Sequence, residues 1–145
     1  MLSIMKQTDV MKHWDKVRQC IEYVLTLSFV EDDTVKTIAT IKKAIMVDQI
    51  QVWMLTDEVN EIKALMITLP KNINFSSKSL HIFALMAFAH ITDDEYKDSF
   101  TKISEYAKDK GYKYITAESA NDRIIDIFKR LGGKGFSLNL YWEVI

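Results

Sequence analysis

The stretch 80–111 contains the clearest change of hydrophobic pattern in the chain. Even-numbered residues from Leu80 to Phe88 alternate with odd-numbered residues from His81 to Ala89, and nearly all of them are apolar, so both faces of an extended segment would be apolar. Such a strand belongs in the middle of a sheet. From Asp93 to Gly111 apolar residues recur every three or four positions, which is typical of an amphipathic helix that ends at glycine. We therefore predict a central strand over 80–89 followed directly by a helix.

Two amphipathic helices are predicted ahead of this strand. A short extended start over 2–5 leads to the first helix, which Thr8 or Asp9 could cap, and the acidic run 31–34 begins the second. The apolar stripes contain Met11, Trp14, Val17, Ile21 and Val24 in the first helix, and Val35, Ile38, Ile41 and Ile45 in the second.

A hairpin is predicted between the second helix and the central strand. Alternating β-forming residues cover 49–55 and 62–69, with a polar turn between them. The only proline, Pro70, is expected to end the second strand and to open a polar connection that reaches the central strand.

The last third of the chain predicts a strand, a helix and a strand. The strand covers 112–117, and the helix covers 121–131 with Asn121 as its cap and 132–133 as its glycine stop. Apolar and polar residues then alternate over 136–144, which predicts one late antiparallel strand.

The expected core includes Trp14, Val17, Ile21, Ile82, Met86, Phe100, Ile103, Phe128, Leu138 and Leu140.

Length and composition favour a single domain over residues 1–145. Nineteen basic and twenty acidic residues nearly cancel, which argues against binding nucleic acid by overall charge. No apolar run is long enough to span a membrane, and charged and polar residues follow Met1 to Lys6 where a secretion signal would have an apolar core. We expect no membrane partner and no secretion by a signal peptide.

Cysteine and histidine give little metal or redox chemistry. The single cysteine, Cys20, excludes an internal disulfide, and we expect its thiol to be buried. The three histidines lack the spacing of a metal site, so no metal is expected.

The order of predicted elements resembles the GNAT family of acetyl-CoA-dependent N-acyltransferases over essentially the whole chain. The segment from Asn121 to Gly132, followed by Phe136, looks like the family's signature of asparagine, an aliphatic helix, an aromatic residue, Leu-Gly and phenylalanine. The resemblance implies an α/β GNAT-like fold, with a mixed, mostly antiparallel sheet and helices on both faces. In this fold two neighbouring strands splay apart and leave a slot for the pantetheine arm of acetyl-CoA.

The chain departs from the family at the turn after the central strand. Active members carry Q/R-x-x-G-x-G/A there, and its backbone N–H groups at a helix N-terminus cradle the pyrophosphate. Aligned without gaps, this motif falls on residues 92–97, so that Glu95 and Lys97 replace its two glycines. Side chains at these positions would crowd the phosphates. The cofactor-binding positions implied by the resemblance are Thr92, Asp93, Asp94, Glu95, Tyr96, Lys97, Asn121 and Arg123.

The acidic residues at this turn have a simpler interpretation as well. Asp93, Asp94 and Glu95 lie in the first turn of the predicted helix. Carboxylates there complement the helix dipole, each by about 0.3–1 kcal/mol. They would also repel a bound pyrophosphate.

The second departure concerns the general acid. Many family members use a tyrosine of the last helix, and this chain has Phe128, whose ring cannot donate a proton. Tyr141 or Tyr114 could approach from a neighbouring strand, and His81 and His90 are candidate general bases on or just after the central strand. Each of these side chains also fits an ordinary structural place in or beside the sheet.

A glycine-rich turn with basic neighbours is a candidate for a residual anion site. Residues 132–135 read Gly-Gly-Lys-Gly and follow Arg123, Lys129 and Arg130. The turn is not a Walker loop, because the preceding strand and the Lys-Ser/Thr ending are missing. The alternative is an ordinary glycine turn out of a helix.

Two functions remain open at this point. The first is a GNAT-fold protein that has lost acetyl-CoA chemistry, needs no cofactor and acts as an interaction or structural module with a protein partner. It would be similar to short, degenerate GNAT-like proteins of tailed-phage virions, so we expect a virion-associated or cytoplasmic location. The second is an active N-acyltransferase that holds acetyl-CoA with backbone N–H groups near 92–96 and with Arg123.

Overall fold

In the computed structural model the chain forms one seven-stranded sheet with helices on both faces. The structure describes residues 1–26, 33–73, 77–118, 122–136 and 139–144, and for residues 73, 118, 122–124, 134–136 and 139–143 it describes the backbone alone. The strands are β1 (Leu2–Ile4), β2 (Gln51–Thr56), β3 (Ile62–Ile73), β4 (Ser77–Ala87), β5 (Tyr114–Glu118), β6 (Lys134–Phe136) and β7 (Asn139–Glu143). The helices are α1 (Gln7–Lys12), α2 (Trp14–Thr26), α3 (Thr34–Met46), α4 (Asp93–Asp109) and α5 (Asp122–Arg130).

The sheet order is β1-β2-β3-β4-β5-β7-β6, so β4 is the central strand, as predicted. Among the strands that the structure describes, β4 and β5 form the only parallel pair. A parallel pair needs a crossover, and α4 supplies it. The predicted fold class, a mixed and mostly antiparallel sheet with helices on both faces, is confirmed.

Each face of the sheet has its own apolar core. Helices α1, α2 and α3 cover one face, and α4 and α5 cover the other. Alternation along β3 divides its residues between them: Leu65 and Ile67 face α1–α3, whereas Ala64 and Met66 face α4 and α5. Burial on both faces explains why the central strands contain so few polar residues.

A bulge in β4 breaks the alternation that the sequence predicted over 80–89. Ile82 lies opposite Thr68 of β3 and Ala84 lies opposite Ile67, so Phe83 is an extra residue. Ile82 faces α4 and α5, but beyond the bulge Ala84 faces the other side. The strict alternation was therefore wrong in the second half of the strand.

The helix starts differ in part from the prediction. Helix α1 begins after Lys6, so Thr8 and Asp9 lie inside its first turn and do not cap it. The reason is that Lys6 has an extended backbone and its carbonyl already accepts the first helical hydrogen bond. Asp33 caps α3 by accepting from the Lys36 N–H at 3.3 Å, within the predicted acidic start. The predicted cap of α5, Asn121, lies outside the described residues.

Both predicted glycine stops are confirmed. Gly111 has a φ of 78°, and the backbone N–H of Tyr112 donates back to the carbonyl of Ala107 at 2.8 Å. The same type of reverse hydrogen bond ends α5 at Gly132, whose φ is 93°. Glycine adopts this left-handed conformation without strain.

Two strand predictions were wrong. Strand β3 continues through Pro70, which lies opposite Leu80 of β4. Because β2 pairs with β3 only as far as Thr68, Pro70 lies where β3 has an open edge, and an edge tolerates the missing N–H. The predicted single strand over 136–144 is a hairpin of β6 and β7, in which Phe136 lies opposite Asn139.

The predicted core is largely confirmed. Buried members are Val17, Ile21, Ile82, Ile103 and Phe128, and half-buried members that pack against the cores are Trp14, Met86 and Phe100. The side chains of Leu138 and Leu140 lie outside what the structure describes. Cys20 is fully buried, as expected. No helix in the described part of the chain is long and apolar enough to cross a membrane.

Candidate functional site

The turn between β4 and α4 is closed by its own side chains. Thr92 is the N-cap of α4, and its hydroxyl accepts a hydrogen bond from the backbone N–H of Glu95 at 3.2 Å. The Glu95 carboxylate in turn accepts from the backbone N–H of Thr92 at 3.2 Å. This reciprocal arrangement is a capping box, which satisfies two donors that a helix N-terminus otherwise leaves open.

Lys63 of β3 fixes the Glu95 carboxylate from the other side. Its ammonium group donates to both carboxylate oxygens, at 2.7 and 2.8 Å, and the two side chains are 19% and 27% exposed. The hydrogen bond from Lys63 is the main cause that holds the pKa of Glu95 below its usual range, and Thr92 adds to it while desolvation opposes it. Glu95 is therefore a charged and well-bonded group at neutral pH.

The Lys63 backbone also holds the start of this turn. Its carbonyl accepts from the backbone N–H groups of Phe88 at 2.7 Å and of Ala89 at 3.3 Å. The backbone and the side chain of one lysine thus restrain both ends of the segment 88–95.

The other first-turn carboxylates face solvent. Asp93 lies 3.6 Å from the guanidinium of Arg130, which also binds Asp126 of α5 at 3.0 Å. All three side chains are well exposed, so these ion pairs contribute little stability. Two carboxylates, Asp93 and Asp126, therefore pair with one guanidinium at the mouth of the turn, and Asp94 is exposed beside Asp93.

The residues at this turn do not fit a pyrophosphate. A bound pyrophosphate would need open backbone donors and a positive field at the N-terminus of α4. The Glu95 N–H is already bonded to Thr92, and the Glu95 carboxylate fills the space in front of Lys63. Glu95 and Lys97, at the two glycine positions of the family motif, carry side chains. The half-buried Tyr96 lines a cavity beneath α4, and Lys97 is exposed.

That cavity has a volume of about 50 Å³ and lies between α4 and the sheet. Its lining is almost wholly apolar and includes Ala64 of β3, Leu85 and Ala87 of β4, and Phe128 of α5. Phe128 is 7% exposed and belongs to the core on this face. At this position the chain therefore offers packing surface and no proton donor.

Beyond its pairing with β5, the central strand has an edge with which no described residue pairs. Strand β4 pairs with β5 over 79–82, whereas β4 continues to Ala87. The backbone N–H of Phe88 donates to the carbonyl of Lys63 opposite it. Because hydrogen-bonded and non-bonded pairs alternate along an antiparallel ladder, the backbone groups of Leu85 and Ala87 point away from β3. Among the described residues, these groups have no hydrogen-bond partner. We call residues 83–87 the β4 edge.

The predicted histidine candidates do not join this turn. His81 lies on the first half of β4, and its Nδ1 atom is 2.8 Å from the hydroxyl oxygen of Thr116 on β5. His90 is exposed in the loop before α4. Tyr114 is half-buried on β5, and the backbone of Tyr141 lies directly opposite Thr116. The register thus aligns His81, Thr116 and the Tyr141 backbone across three strands, without contact to Glu95.

Two other predicted site residues lie wholly or partly outside what the structure describes. Asn121 lies outside it, and Arg123 is described by its backbone in α5 alone. The glycine-rich turn serves to end α5 at 132–133 and to begin β6 at Lys134. Within the described part of the chain no cluster of three or more potential metal ligands occurs, and the absence of a metal stays a prediction.

Sequence reasoning missed Lys63. The available signal was one charged residue within the largely apolar run 62–69, at a position where the sheet alternation does not require a polar side chain. Its partner Glu95 was identified, but as a dipole and cofactor-loop residue. The ion pair joins positions 32 residues apart, so no local pattern could have revealed it.

Comparison with known proteins identifies the fold of this chain. No protein-family model matches the chain, and no curated protein matches it in sequence. Solved structures do match, among them spermidine N-acetyltransferase from Vibrio cholerae in complex with CoA and spermine, with a TM-score of 0.67, 11% identity and coverage of 99% of this chain and 95% of that one.

Two further structures give the same result. A predicted acetyltransferase from Clostridium acetobutylicum with acetyl-CoA matches with a TM-score of 0.68 and 10% identity, over 94% of this chain and 90% of that one. Glucosamine-6-phosphate N-acetyltransferase from Arabidopsis thaliana matches with a TM-score of 0.59 and 14% identity, over 95% and 93%. The protein therefore has the fold of the GNAT acetyltransferases, as its pattern of elements predicted.

Proposed function

We propose that this protein is a non-catalytic member of the acetyltransferase fold that works as an interaction or structural module with a protein partner. One observation carries the proposal: the Glu95 carboxylate, held by Lys63 and Thr92, occupies the N-terminus of α4 where the fold's cofactor would place its pyrophosphate. The buried Phe128, in place of a tyrosine acid, supports the same conclusion.

The decisive measurement is a calorimetric titration of the protein with acetyl-CoA and with CoA. We expect no saturable binding up to millimolar concentration, because internal carboxylates and side chains fill the phosphate position. Binding with a micromolar Kd, equivalent to about −8 kcal/mol, would refute the proposal.

A set of variants tests whether the turn itself prevents binding. The combined changes Thr92→Arg, Glu95→Gly and Lys97→Gly should give weak acetyl-CoA binding, since they restore the family motif at all three positions. The matched control, Asp94→Asn, removes one negative charge from the same helical turn without opening it, and should give none. Phe128→Tyr should add turnover only in the triple variant.

An active N-acyltransferase with an unusual cofactor loop is the second candidate, and the β4 edge favours it. Leu85 and Ala87 present backbone donors and acceptors in a gap beside the central strand, and an extended pantetheine arm could bond to them. The same acetyl-CoA titration separates the two functions.

The proposal includes a location. By analogy with short, degenerate GNAT-like proteins of tailed-phage virions, we propose a virion-associated role, with a cytoplasmic role as the alternative. Detection of the protein by mass spectrometry in purified, nuclease-treated virions would support the virion-associated role. Its absence from them would support the cytoplasmic role.

A further inference from the structure

We propose that the β4 edge binds an extended segment of a partner protein, which adds a strand beside Leu85 and Ala87 and places one aliphatic side chain over the apolar cavity beneath α4. This inference rests on the proposed function, since it assumes that acetyl-CoA does not occupy the same gap.

The first step is the geometry of the backbone. Ala87 lies opposite Ala64, and the hydrogen bond from Phe88 to the Lys63 carbonyl marks the next pair as the bonded one. The N–H and C=O groups of Leu85 and Ala87 therefore point away from β3, toward the side that β5 leaves open. They offer two donors and two acceptors at the spacing that an added strand requires.

The second step is the position of the cavity. Leu85 and Ala87 lie opposite Met66 and Ala64, which belong to the core on the α4 face, and both line the cavity of about 50 Å³. Side chains of directly opposed residues lie on the same face of a sheet. A partner residue paired with Leu85 would therefore direct its side chain to the α4 face, next to Phe128. The lining is apolar, so an aliphatic side chain fits it.

The third step is charge. Asp93 and Asp126 both pair with the guanidinium of Arg130 at the mouth of the adjoining turn, and Asp94 is exposed in the same first turn of α4, so these carboxylates outnumber the one cation that is paired with them. This excess of negative charge complements lysine or arginine residues that flank the aliphatic residue in the partner. The occupant that fits is an extended, basic segment with a central aliphatic side chain.

The β1 edge of the sheet is protected. On β1, the pairing of Met1 with Thr56 and of Met5 with Val52 turns the backbone of Leu2 and Ile4 outward. The Lys102 ammonium of α4 donates to the Leu2 carbonyl at 3.1 Å, which covers this edge with a charged side chain. Lysine at a sheet edge is a common means of preventing strand addition. At the β4 edge, no described side chain donates to Leu85 or Ala87.

The experiment uses the full chain and a synthetic probe, acetyl-Lys-Thr-Leu-Thr-Lys-amide. Heteronuclear NMR should show saturable shifts with a Kd of about 1 mM or lower, and slower amide exchange at Leu85 and Ala87. Replacing the probe's leucine by aspartate, or by N-methyl-leucine, should weaken binding at least about tenfold. Replacing both probe lysines by glutamate should also weaken it. Shifts and protection at Ile4 instead of Leu85 would overturn the proposal.

Two protein variants test the edge and the cavity separately. Ala87→Pro removes a donor that faces the open side and should abolish binding, while Ile4→Pro removes the equivalent outward donor on β1 and should leave binding unchanged. Ala64→Leu fills the cavity from β3 without altering the edge, so it tests the proposal even where Ala87→Pro fails to fold. It should weaken binding about tenfold, and unchanged affinity would refute the role of the cavity.

The two proposals fail in distinguishable ways. If the protein binds neither acetyl-CoA nor the probe, the β4-edge proposal is refuted and the non-catalytic function stands. If it binds acetyl-CoA with a micromolar Kd, the non-catalytic function is refuted whatever the probe does.

Discussion

Truncation of Phe128 to alanine tests how the last helix is attached to the sheet. Phe128 is 7% exposed and packs in the core that contains Ile82 and Ile103. Phe→Ala changes at such sites cost about 3–5 kcal/mol, since the lost transfer free energy adds to that of the cavity left behind. A cavity of about 50 Å³ already lies against the ring, so this site is not expected to collapse around the larger void. We expect a loss in the upper half of that range.

Urea unfolding followed by far-ultraviolet circular dichroism would measure the change in the free energy of unfolding. Domains of this kind have about 5–15 kcal/mol in total, so a large fraction would be lost. If the variant does not fold, Phe128→Leu keeps most of the buried volume and should cost about 1–2 kcal/mol. The control is Val59→Ala, because Val59 is 74% exposed and such changes stay within about 0.5 kcal/mol. A loss below about 1 kcal/mol for Phe128→Ala would refute the packing argument.

Three further predictions concern single groups. Burial raises the pKa of the Cys20 thiol to about 12, so at pH 8 a thiol reagent should modify native protein far more slowly than urea-unfolded protein, and equal rates would contradict the burial. The hydrogen bond from Lys63 lowers the pKa of Glu95 below its usual range. The stability advantage of wild type over Glu95→Gln should therefore be full at neutral pH and should decline as the pH falls through that lowered pKa. A pH-independent difference in urea midpoints between the two proteins would count against the ion pair. Thr68→Val leaves the Trp53 indole N–H, 2.9 Å from the Thr68 hydroxyl, without its acceptor and should cost about 1–3 kcal/mol. In a Trp53→Phe background, which has no indole N–H, the same Thr68→Val change should cost much less.

The elements that could be predicted from sequence are those whose signal is local. The stripe from Tyr96 to Ala107 and the glycine at 111 defined α4 correctly, because a helix buries one face and ends where a left-handed residue is available. Likewise, the apolar run at 80–89 identified β4 as the central strand, since a strand covered on both faces has little room for polar side chains.

The errors came from features that depend on neighbouring strands. Pro70 was expected to end β3, but whether proline is tolerated depends on where β2 stops, at Thr68. The alternation over 136–144 is continuous, yet the chain turns back within it to pair β6 with β7. The bulge at Phe83 also has no sequence signal, because the residues on either side of it are all apolar.

The candidate site was predictable in its composition and unpredictable in its bonding. Glu95 at a glycine position of the GNAT motif that the chain resembles, and Phe128 at the position of its tyrosine, are visible in the sequence. What fills the turn is not, since Lys63 reaches Glu95 from another strand. The gap beside Leu85 likewise follows from how far β5 extends, which no pattern within β4 specifies.

The parallel ladder between β4 and β5 spans 79–82 and 114–117, while β4 and β3 pair over 64–73 and 77–87. Among the described strands, this short ladder is the one sheet connection between the four-stranded antiparallel meander and the β5-β7-β6 unit. Parallel pairing is also slightly less stable per residue. The sheet should therefore come apart first along this seam, as a sub-global opening that leaves the meander intact. In native-state hydrogen exchange, the amide of Ile115 should then exchange at a lower free energy than those of Leu65 and Ile67, and the seam would divide the protein into two cooperative units.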